Sequence, residues 1–233
     1  MRCFVCDNIT EAGTQVSLPE RESQHLFKTL RGRTGDLVML IDGRGTVATA
    51  RVEDGKRLFV IEKKTLAEPE LKIHLFISPP KHNKMDQLLT QCCETGVWSI
   101  TFVIAEHSVV RPDEGAVPER WNVHLSEGCK QSKNPFIPRL GEVISFSGMV
   151  EKIKGRKIPA LYGSVGKPES GQKKTWTSDA AWIVGPEGGF SPAEEECMKA
   201  SGFIPFNIGR WIMRVETAAI AGAVILMDCS EKC

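Results

Sequence analysis

Two short segments late in the chain each connect an apolar, strand-like run to the start of a helix. The first loop, residues 185–191, reads GPEGGFS and follows the run at 181–184. The second loop, residues 208–218, reads IGRWIMRVETA and follows the run at 203–208. Apolar runs with aromatic and β-branched residues are typical of buried strands, and open α/β sheets bind ligands where strands turn into helices. The two loops therefore predict an α/β fold in which both line one pocket.

The first loop has three glycines and a proline within five positions, so its backbone turns sharply and can approach a ligand without a Cβ in the way. Ser191, Pro192 and Glu194 then have the spacing of a capping box with proline at the first helical position, which predicts a helix start. The loop lacks the Lys-Ser/Thr pair of a phosphate loop and the spacing of a dinucleotide-binding fingerprint. A tight turn without a ligand is the alternative interpretation of this loop taken alone.

The second loop leads into a segment from Glu216 to Cys229 that has no charge between Glu216 and Asp228. A helix that is apolar nearly all round must be buried, either in the core or against another subunit. Its uncharged stretch is too short to cross a bilayer, which takes about 20 residues. We therefore expect a core or dimer-interface helix.

The composition of the chain changes near residue 68. Residues 1–68 contain short β-type runs separated by Gly-rich turns, which predicts a small barrel; the runs lie at 37–41, 46–52 and 57–63. Residues 66–70 form a polar connector with a proline. From residue 71 to 233, strand-like and helix-like segments alternate, which predicts an α/β domain with a parallel sheet.

The two loops together resemble the SPOUT-class ribosomal RNA small subunit methyltransferase E family. The resemblance extends to residues 24–45 and 81–97, so it covers nearly the whole chain. It implies a PUA-like β-barrel RNA-binding domain at 1–68, followed at 71–233 by a SPOUT methyltransferase domain with a trefoil-knotted parallel sheet. It also implies methylation of N3 of a uridine in small-subunit (16S) ribosomal RNA, with S-adenosyl-L-methionine as the cofactor. The RNA or the 30S particle is then the partner, and a homodimer is the expected assembly.

Three positions depart from the family pattern, which usually has arginine there: His107, Asn134 and Trp211. Neighbouring cations offer positive charge at shifted positions; they are Arg111, Lys133 and Arg210. Lysine and histidine do not reproduce the bidentate geometry of arginine. Two alternatives therefore stay open, a noncatalytic RNA-binding protein of the same fold and a transfer RNA ribose 2′-O-methyltransferase.

Backbone groups of the two loops suit the adenine and ribose of the cofactor, because glycines allow close approach. The resemblance implies a further adenosine contact where the run 158–161 ends. The expected cofactor-binding residues are Leu161, Tyr162, Gly185, Pro186, Glu187, Gly188, Gly189, Ile208, Gly209, Ile212, Met213, Thr217 and Ala218. For Glu187, a brace within the loop is the alternative interpretation.

Methylation of uridine N3 requires alignment of donor and base, and removal of the N3 proton from a base that has been exposed or flipped out. Arg214 is the candidate that stabilises the developing uracil anion or a phosphate. Glu216 is the candidate that accepts the proton or orients the residue that does. The alternatives are a salt bridge for Arg214 and, for Glu216, an acid at a helix start that the helix dipole favours.

The net charge is only +1, so RNA binding must depend on local basic patches rather than on the field of the whole protein. The expected RNA-binding residues are Lys28, Arg31, Arg33, Lys130, Gln131 and Lys133. A further basic run at 152–157 is interpreted as a solvated charged face.

The composition, with 41% hydrophobic and 25% charged residues among 233, is typical of a soluble globular protein. No charged and then apolar leader opens the sequence, so we expect a cytoplasmic protein without a membrane partner. The chain has eight cysteines, but Cys3 and Cys6 would point to opposite faces of a strand, and the others lack zinc-ligand spacing. We therefore expect reduced thiols and no metal.

Overall fold

The structure of the protein is a computed structural model. It describes residues 1–113, 115, 117–165 and 179–228. The chain divides into two compact units. The first comprises Met1–Glu68 with Val123–Ile137, and the second comprises Pro69–Asn122 with Pro138–Cys233.

The break after Glu68 lies within the predicted connector, but the sequence pattern assigns residues 123–137 to the second domain. This segment joins the first unit because its extended end pairs with a turn there. The amide of Gly45 donates to the carbonyl of Pro135 at 3.0 Å, and the amide of Ile137 donates to the carbonyl of Gly43 at 3.0 Å. These bonds join residues that are far apart in the sequence, so a local pattern does not reveal them.

The first unit is built on five strands. Its elements are β1 (Arg2–Val5), β2 (Gln15–Val16), α1 (Glu20–Gln24), a π-helical turn (His25–Thr29), β3 (Leu37–Ile41), β4 (Thr46–Glu53), a 3₁₀ turn (Asp54–Lys56) and β5 (Arg57–Thr65). The sheet has the order β1-β3-β4-β5-β2, with β1 and β3 parallel and the other pairs antiparallel. The three strands predicted from the β-type runs are confirmed within two residues. Closure into a barrel stays a prediction.

Alternate residues of the three longer strands form the core of the first unit. They are Val38, Leu40, Ala48, Ala50, Val52, Leu58 and Val60. This period of two follows from the pleat, which turns successive side chains to opposite faces. Phe4 and Leu26 complete the cluster.

The second unit alternates strands and helices. Its elements are β6 (Ile73–Ile77), α2 (His82–Thr95), β7 (Ser99–Ile104), β8 (Arg139–Ser145), α4 (Phe146–Arg156), β9 (Ala160–Gly163), β10 (Ala180–Val184), α5 (Pro192–Ala200), β11 (Ile204–Phe206) and α6 (Val215–Asp228). The helix α3 spans Glu119–Ser132, and its residues up to Asn122 belong to this unit. Within the described residues of this unit, six strands pair in parallel in the order β11-β9-β10-β6-β7-β8. The predicted α/β fold with a parallel sheet is confirmed. The trefoil knot that the resemblance implies stays a prediction.

Trp182 of β10 is the largest fully buried side chain of the sheet and packs against α6. Its Nε1 donates a hydrogen bond to the carbonyl of Ala218 at 3.2 Å. A Cβ added to Gly222 would lie only 2.2 Å from the indole, so α6 can pack this closely only because residue 222 has no side chain. The indole therefore joins β10 to the first two turns of α6.

The buried residues of α6 form one stripe, which is Val215, Glu216, Ala219, Gly222, Ala223 and Leu226. The stripe faces β10, β6 and α2, so this side of the helix belongs to the core. The opposite side stays partly open, and Val224 is 45% exposed. The helix is therefore a core helix on one side, with an apolar outer side available for an interface.

His74, at the start of β6, is a buried polar residue that joins several elements of the second unit. Its Nδ1 lies 2.7 Å from Ser99 Oγ and 3.2 Å from the Arg156 guanidinium, and its Nε2 lies 3.3 Å from Asp179 Oδ2. Burial lowers the pKa of His74, and the hydrogen bond with Asp179 opposes that effect only in part. A neutral imidazole fits these partners, with Nδ1 accepting and Nε2–H donating to Asp179.

We predict that Gly222→Ala destabilises the protein, because the new methyl group overlaps the Trp182 indole. Overpacking of a core costs about 1–3 kcal/mol of unfolding free energy, which urea denaturation will detect. Gly155→Ala in α4 is the matched control, since nothing lies within 4 Å of its added Cβ. That change should be neutral or should stabilise the helix by roughly 0.5–1 kcal/mol. Equal effects of the two variants would contradict this account of the packing.

We predict that the free energy of unfolding falls as pH decreases from 7 to 5, in part because of His74. The pKa of His74 is lower in the folded protein than in the unfolded chain, where it is about 6.5. Below that pH the unfolded chain therefore binds a proton that the folded protein resists, which favours unfolding. In His74→Gln the stability at pH 7 should be lower, but its dependence on pH should be shallower. Urea titrations across this range measure both slopes, and identical slopes would refute the assignment.

Candidate active site

A cavity of about 1250 Å³ lies at the carboxyl ends of β9, β10 and β11 in the second unit. These strands are neighbours in a parallel sheet, so the loops that follow them meet at one edge. Both predicted loops line the cavity, together with residues 163–165 after β9 and the first turn of α6.

The first loop ends in the predicted capping box at the start of α5. Ser191 Oγ accepts from the amide of Glu194 at 3.3 Å, and Glu194 Oε2 accepts from the amide of Ser191 at 2.9 Å. The other carboxylate oxygen, Glu194 Oε1, accepts from the amide of Glu106 at 2.9 Å. Glu194 therefore holds the end of the first loop against the segment that follows β7.

His107 supports the glycines of the first loop from the same segment. Its Nδ1 lies 3.1 Å from the carbonyl of Gly189 and carries the hydrogen, because a carbonyl only accepts. A Cβ added to Gly188 would lie 3.1 Å from His107 Cβ, which is tighter than ordinary contact. Gly189 has a φ of 74°, a conformation that favours glycine. His107 thus helps to shape the loop.

Arg111, one of the shifted cations, is bound to the backbone. Its Nε donates to the carbonyl of Ser108 at 3.1 Å, and its Nη2 donates to the carbonyls of Ala105 and Glu106. These bonds stabilise the turn after β7 and favour a structural role for this guanidinium.

The second loop has an irregular backbone up to the start of α6. The side chain of Asn207 accepts from the amide of Gly209 at 2.9 Å, which forms a local turn. The carbonyl of Arg214 accepts from the amide of Ala218 at 2.8 Å, and this bond opens α6. Between these points Trp211 and Ile212 are 79% and 81% exposed, although both line the cavity.

Most of the residues predicted to bind the cofactor line this cavity. They are Gly185, Pro186, Glu187, Gly188, Gly189, Ile208, Gly209, Ile212, Met213 and Ala218. The side chains of Leu161 and Tyr162 are instead buried in the sheet, and the lining begins one residue later, at Gly163. The strand-like run ends at 161, but β9 continues to Gly163, so the sequence places this loop too early. Thr217 is exposed on α6 and is not part of the lining.

Several lining residues were not among the predicted ones. They are Gly163, Ser164, Val165, Val184, Phe190, Glu195, Phe206, Asn207, Arg210, Trp211 and Val215. The positions between Ile208 and Ile212 could have been found from the sequence, because they lie inside the second loop. Glu195 could not have been found in this way, because its place in the cavity lining depends on where the first turn of α5 lies relative to the loops.

The two predicted catalytic residues occupy different places. Arg214 is exposed and lines the cavity. Glu216 is only 9% exposed and is not part of the lining; its Oε1 lies 3.8 Å from Lys84 Nζ of α2. Arg214 can therefore contact a bound substrate directly, whereas the position of Glu216 suits the orientation of a neighbour. Both roles stay predictions.

The residues predicted to bind RNA all lie in the first unit. Lys28, Arg31 and Arg33 are exposed around the turn that follows α1. Gln131 and Lys133, near the end of α3, are exposed too. These assignments stay predictions.

Lys130 differs from these residues because its side chain is only 7% exposed. Its Nζ lies 2.9 Å from Glu22 Oε1 and 2.7 Å from Glu127 Oε1. Burial alone would lower the pKa of Lys130, but the hydrogen bonds to the two carboxylates more than offset this and raise it. The ammonium group is thus charged and held inside the unit, which favours a structural role.

The part of the chain that the structure describes contains no group of three or more metal-ligating side chains close enough to hold an ion. Within the same residues, six cysteines form no disulfide bond; they are Cys3, Cys6, Cys92, Cys93, Cys129 and Cys197. Cys229 and Cys233 lie outside the described residues. A search of the described helices finds none that is long and apolar enough for a membrane span.

The sequence matches two family profiles. The profile described as "RNA methyltransferase PUA domain" matches residues 18–63. The profile described as "RNA methyltransferase domain" matches residues 67–227, which is more than half of the chain. The chain belongs to this RNA methyltransferase family. In this RNA methyltransferase, the larger match includes every residue that lines the cavity.

Curated relatives and a solved structure resemble the methyltransferase along nearly its whole length. A relative from Synechocystis sp., named Ribosomal RNA small subunit methyltransferase E, is 28% identical over 87% of this chain and 69% of its own length. A relative of the same name from Aquifex aeolicus is 26% identical over 93% of this chain and 95% of its own. A crystal structure of a protein of that name from Neisseria gonorrhoeae, bound to S-adenosyl methionine, covers 99% of this chain and 98% of that chain, with a TM-score of 0.84 and 27% identity.

We predict that Lys130→Met and Lys133→Met affect different properties of the methyltransferase. The first variant leaves the buried carboxylate of Glu22 without its cation, and breaking a buried ion pair costs about 3–5 kcal/mol of unfolding free energy. The second should leave the free energy of unfolding unchanged and should weaken RNA binding. The slope of the logarithm of the binding constant against the logarithm of the salt concentration should become less steep by about one. Urea denaturation and RNA titrations at several salt concentrations separate the two effects. A stable Lys130→Met protein with weakened RNA binding would show that Lys130 acts on RNA instead.

Proposed function

We propose that this protein transfers a methyl group from S-adenosyl-L-methionine to N3 of a uridine in small-subunit (16S) ribosomal RNA. Membership of the RNA methyltransferase family supports the class of reaction. The names of the Synechocystis and Aquifex relatives support ribosomal RNA as the substrate. The gonococcal structure, which holds S-adenosyl methionine, supports the cofactor. The cytoplasm is the expected compartment for this substrate.

The observation that carries the proposal is one cavity lined by both glycine-containing loops at the carboxyl edge of the sheet. Glycine backbone at 185, 188, 189 and 209 can approach adenine and ribose closely, so amides and carbonyls there can recognise polar groups. Apolar side chains of the second loop, Ile208 and Met213, offer surfaces to the adenine ring. The carboxylates of Glu187 and Glu195 in the wall suit the positive sulfonium and ammonium groups.

The cofactor, when bound, supplies a methyl group that its sulfonium has already activated. The residues of the cavity then have to hold donor and base in line and to help remove the N3 proton. The Arg214 guanidinium in the cavity wall can stabilise the negative charge that develops on the uracil. Glu216 at the start of α6 lies 3.8 Å from Lys84 Nζ of α2, and this pair can orient the first turn of α6.

The outer side of α6 supports the homodimer that we propose. This helix has no charged residue between Glu216 and Asp228, and Val224 on its outer side is 45% exposed. Apolar surface that the monomer leaves open is a common basis for subunit contact. The proposed RNA contacts are exposed polar and basic residues of the first unit, namely Lys28, Arg31, Arg33, Gln131 and Lys133.

The proposal predicts micromolar binding of S-adenosyl-L-methionine by calorimetry, and N3-methyluridine in 16S ribosomal RNA treated with enzyme and cofactor. Nucleoside mass spectrometry of RNA from a deletion strain should show the loss of that nucleoside. Failure to bind the cofactor would favour the noncatalytic RNA-binding protein. A 2′-O-methylated nucleoside in transfer RNA would favour the ribose methyltransferase.

Arg214→Ala tests the proposed chemistry within the same assay. Loss of a group that stabilises developing charge lowers kcat by about 100- to 1000-fold. Affinity for S-adenosyl-L-methionine should change little, because the guanidinium acts on the uracil. Arg214→Lys is the matched control, which keeps the charge without the planar fork and should retain part of the activity. Wild-type kcat in Arg214→Ala would remove this residue from the mechanism.

A further inference from the structure

Trp211 is an exposed indole in the wall of the cavity. Its relative exposure is 79%, whereas Trp121 and Trp182 are 3% and 0% exposed. The next residue, Ile212, is 81% exposed, and neighbouring apolar side chains that are left open in this way mark binding surfaces. No ring contact within the described residues involves Trp211. Its packing therefore does not explain its presence in the second loop.

The residues around Trp211 indicate what would cover it. Arg210 and Arg214 lie on either side of it in the sequence; both are exposed, and both line the same cavity. Exposed aromatic rings between cations are how proteins hold single-stranded nucleic acid, because the bases stack on the rings while the cations neutralise phosphates. The surroundings of the indole thus match an unstacked base with its backbone.

The size of the cavity allows such a base to bind beside the cofactor. Pockets for one drug-sized ligand have volumes of roughly 300–1,000 Å³. The cavity here, of about 1250 Å³, is larger than that range. Its lining includes the glycines of both loops together with Trp211 and Ile212, which are exposed to solvent.

We propose that Trp211 is the stacking surface for the extruded uracil, and that it positions the base for transfer. This inference extends the proposed function, since it names the residue that binds the substrate base in the same cavity. An indole has a large π face and few rotatable bonds, so it holds a planar base in a defined orientation.

The test compares methylation of 16S ribosomal RNA by Trp211→Ala, Trp211→Leu and Trp211→Phe. Loss of one stacked base corresponds to a decrease in kcat/KM of about 5- to 150-fold, which we expect for the alanine and leucine variants. Leucine keeps apolar area without a π face, so it separates stacking from burial. Phenylalanine should restore activity to within a few-fold. The melting temperature and the affinity for S-adenosyl-L-methionine should not change in any variant.

Val109→Ala is the matched control, because Val109 is 67% exposed and is not part of the cavity lining. It should keep wild-type kinetics. Wild-type kcat/KM in Trp211→Ala would overturn the inference. Dissociation of Trp211→Ala into monomers in light scattering, with activity lost in proportion, would overturn it too and would assign the indole to a second copy of the chain.

Fluorescence provides a readout that does not depend on methylation. A single-stranded oligouridylate should quench the tryptophan emission of the wild type, and this component should be missing in Trp211→Phe. If the wild type binds no S-adenosyl-L-methionine and methylates nothing, the proposed function fails, yet quenching through Trp211 would still support a base-binding indole. Absence of quenching in an active enzyme would refute the stacking role of Trp211 and would leave the proposed function standing.

Discussion

The packing of the Trp182 indole against α6 is the constraint on which the rest of the site depends. The strand β10 carries this indole, and the first loop follows the strand directly. The helix α6 carries Ala218 and Gly222, and the second loop precedes the helix. Because the indole donates to the carbonyl of Ala218 and fills the space over Gly222, the strand and the helix cannot shift independently. The two loops are thereby held on one cavity, although Gly189 and Gly209 are twenty positions apart in the sequence.

The segment after β7 supports the first loop through hydrogen bonds from Glu106 and His107. Glu194 receives hydrogen bonds from the amides of Ser191 and Glu106, and His107 contacts the loop at Gly188 and Gly189. His107 therefore contributes to the shape of the loop. Positive charge at the cavity does not depend on that position, because Arg210 and Arg214 line the wall. The cavity wall thus contains both glycine backbone and cations.

The first unit shows that counting basic residues does not give the charge that RNA meets. Lys130 is charged, but Glu22 and Glu127 surround its ammonium group, and burial of such a group is tolerated only with this pairing. Three residues later, Lys133 is exposed with a φ of 59°. Two lysines in one short segment thus have opposite environments, and only the exposed one can release counterions from a phosphate backbone.

The sequence by itself determined the features that arise within a few neighbouring residues. The period-two strands of the first unit, the alternation of strands and helices in the second, and the capping box at Ser191 are all local patterns, and the structure contains each of them. Only the tertiary structure decided that residues 123–137 join the first unit, that Lys130 is buried, that β9 runs on to Gly163 and that Trp211 stays exposed. Each of these depends on partners distant in the sequence, and burial is set by whichever elements the fold brings together, which no local pattern records.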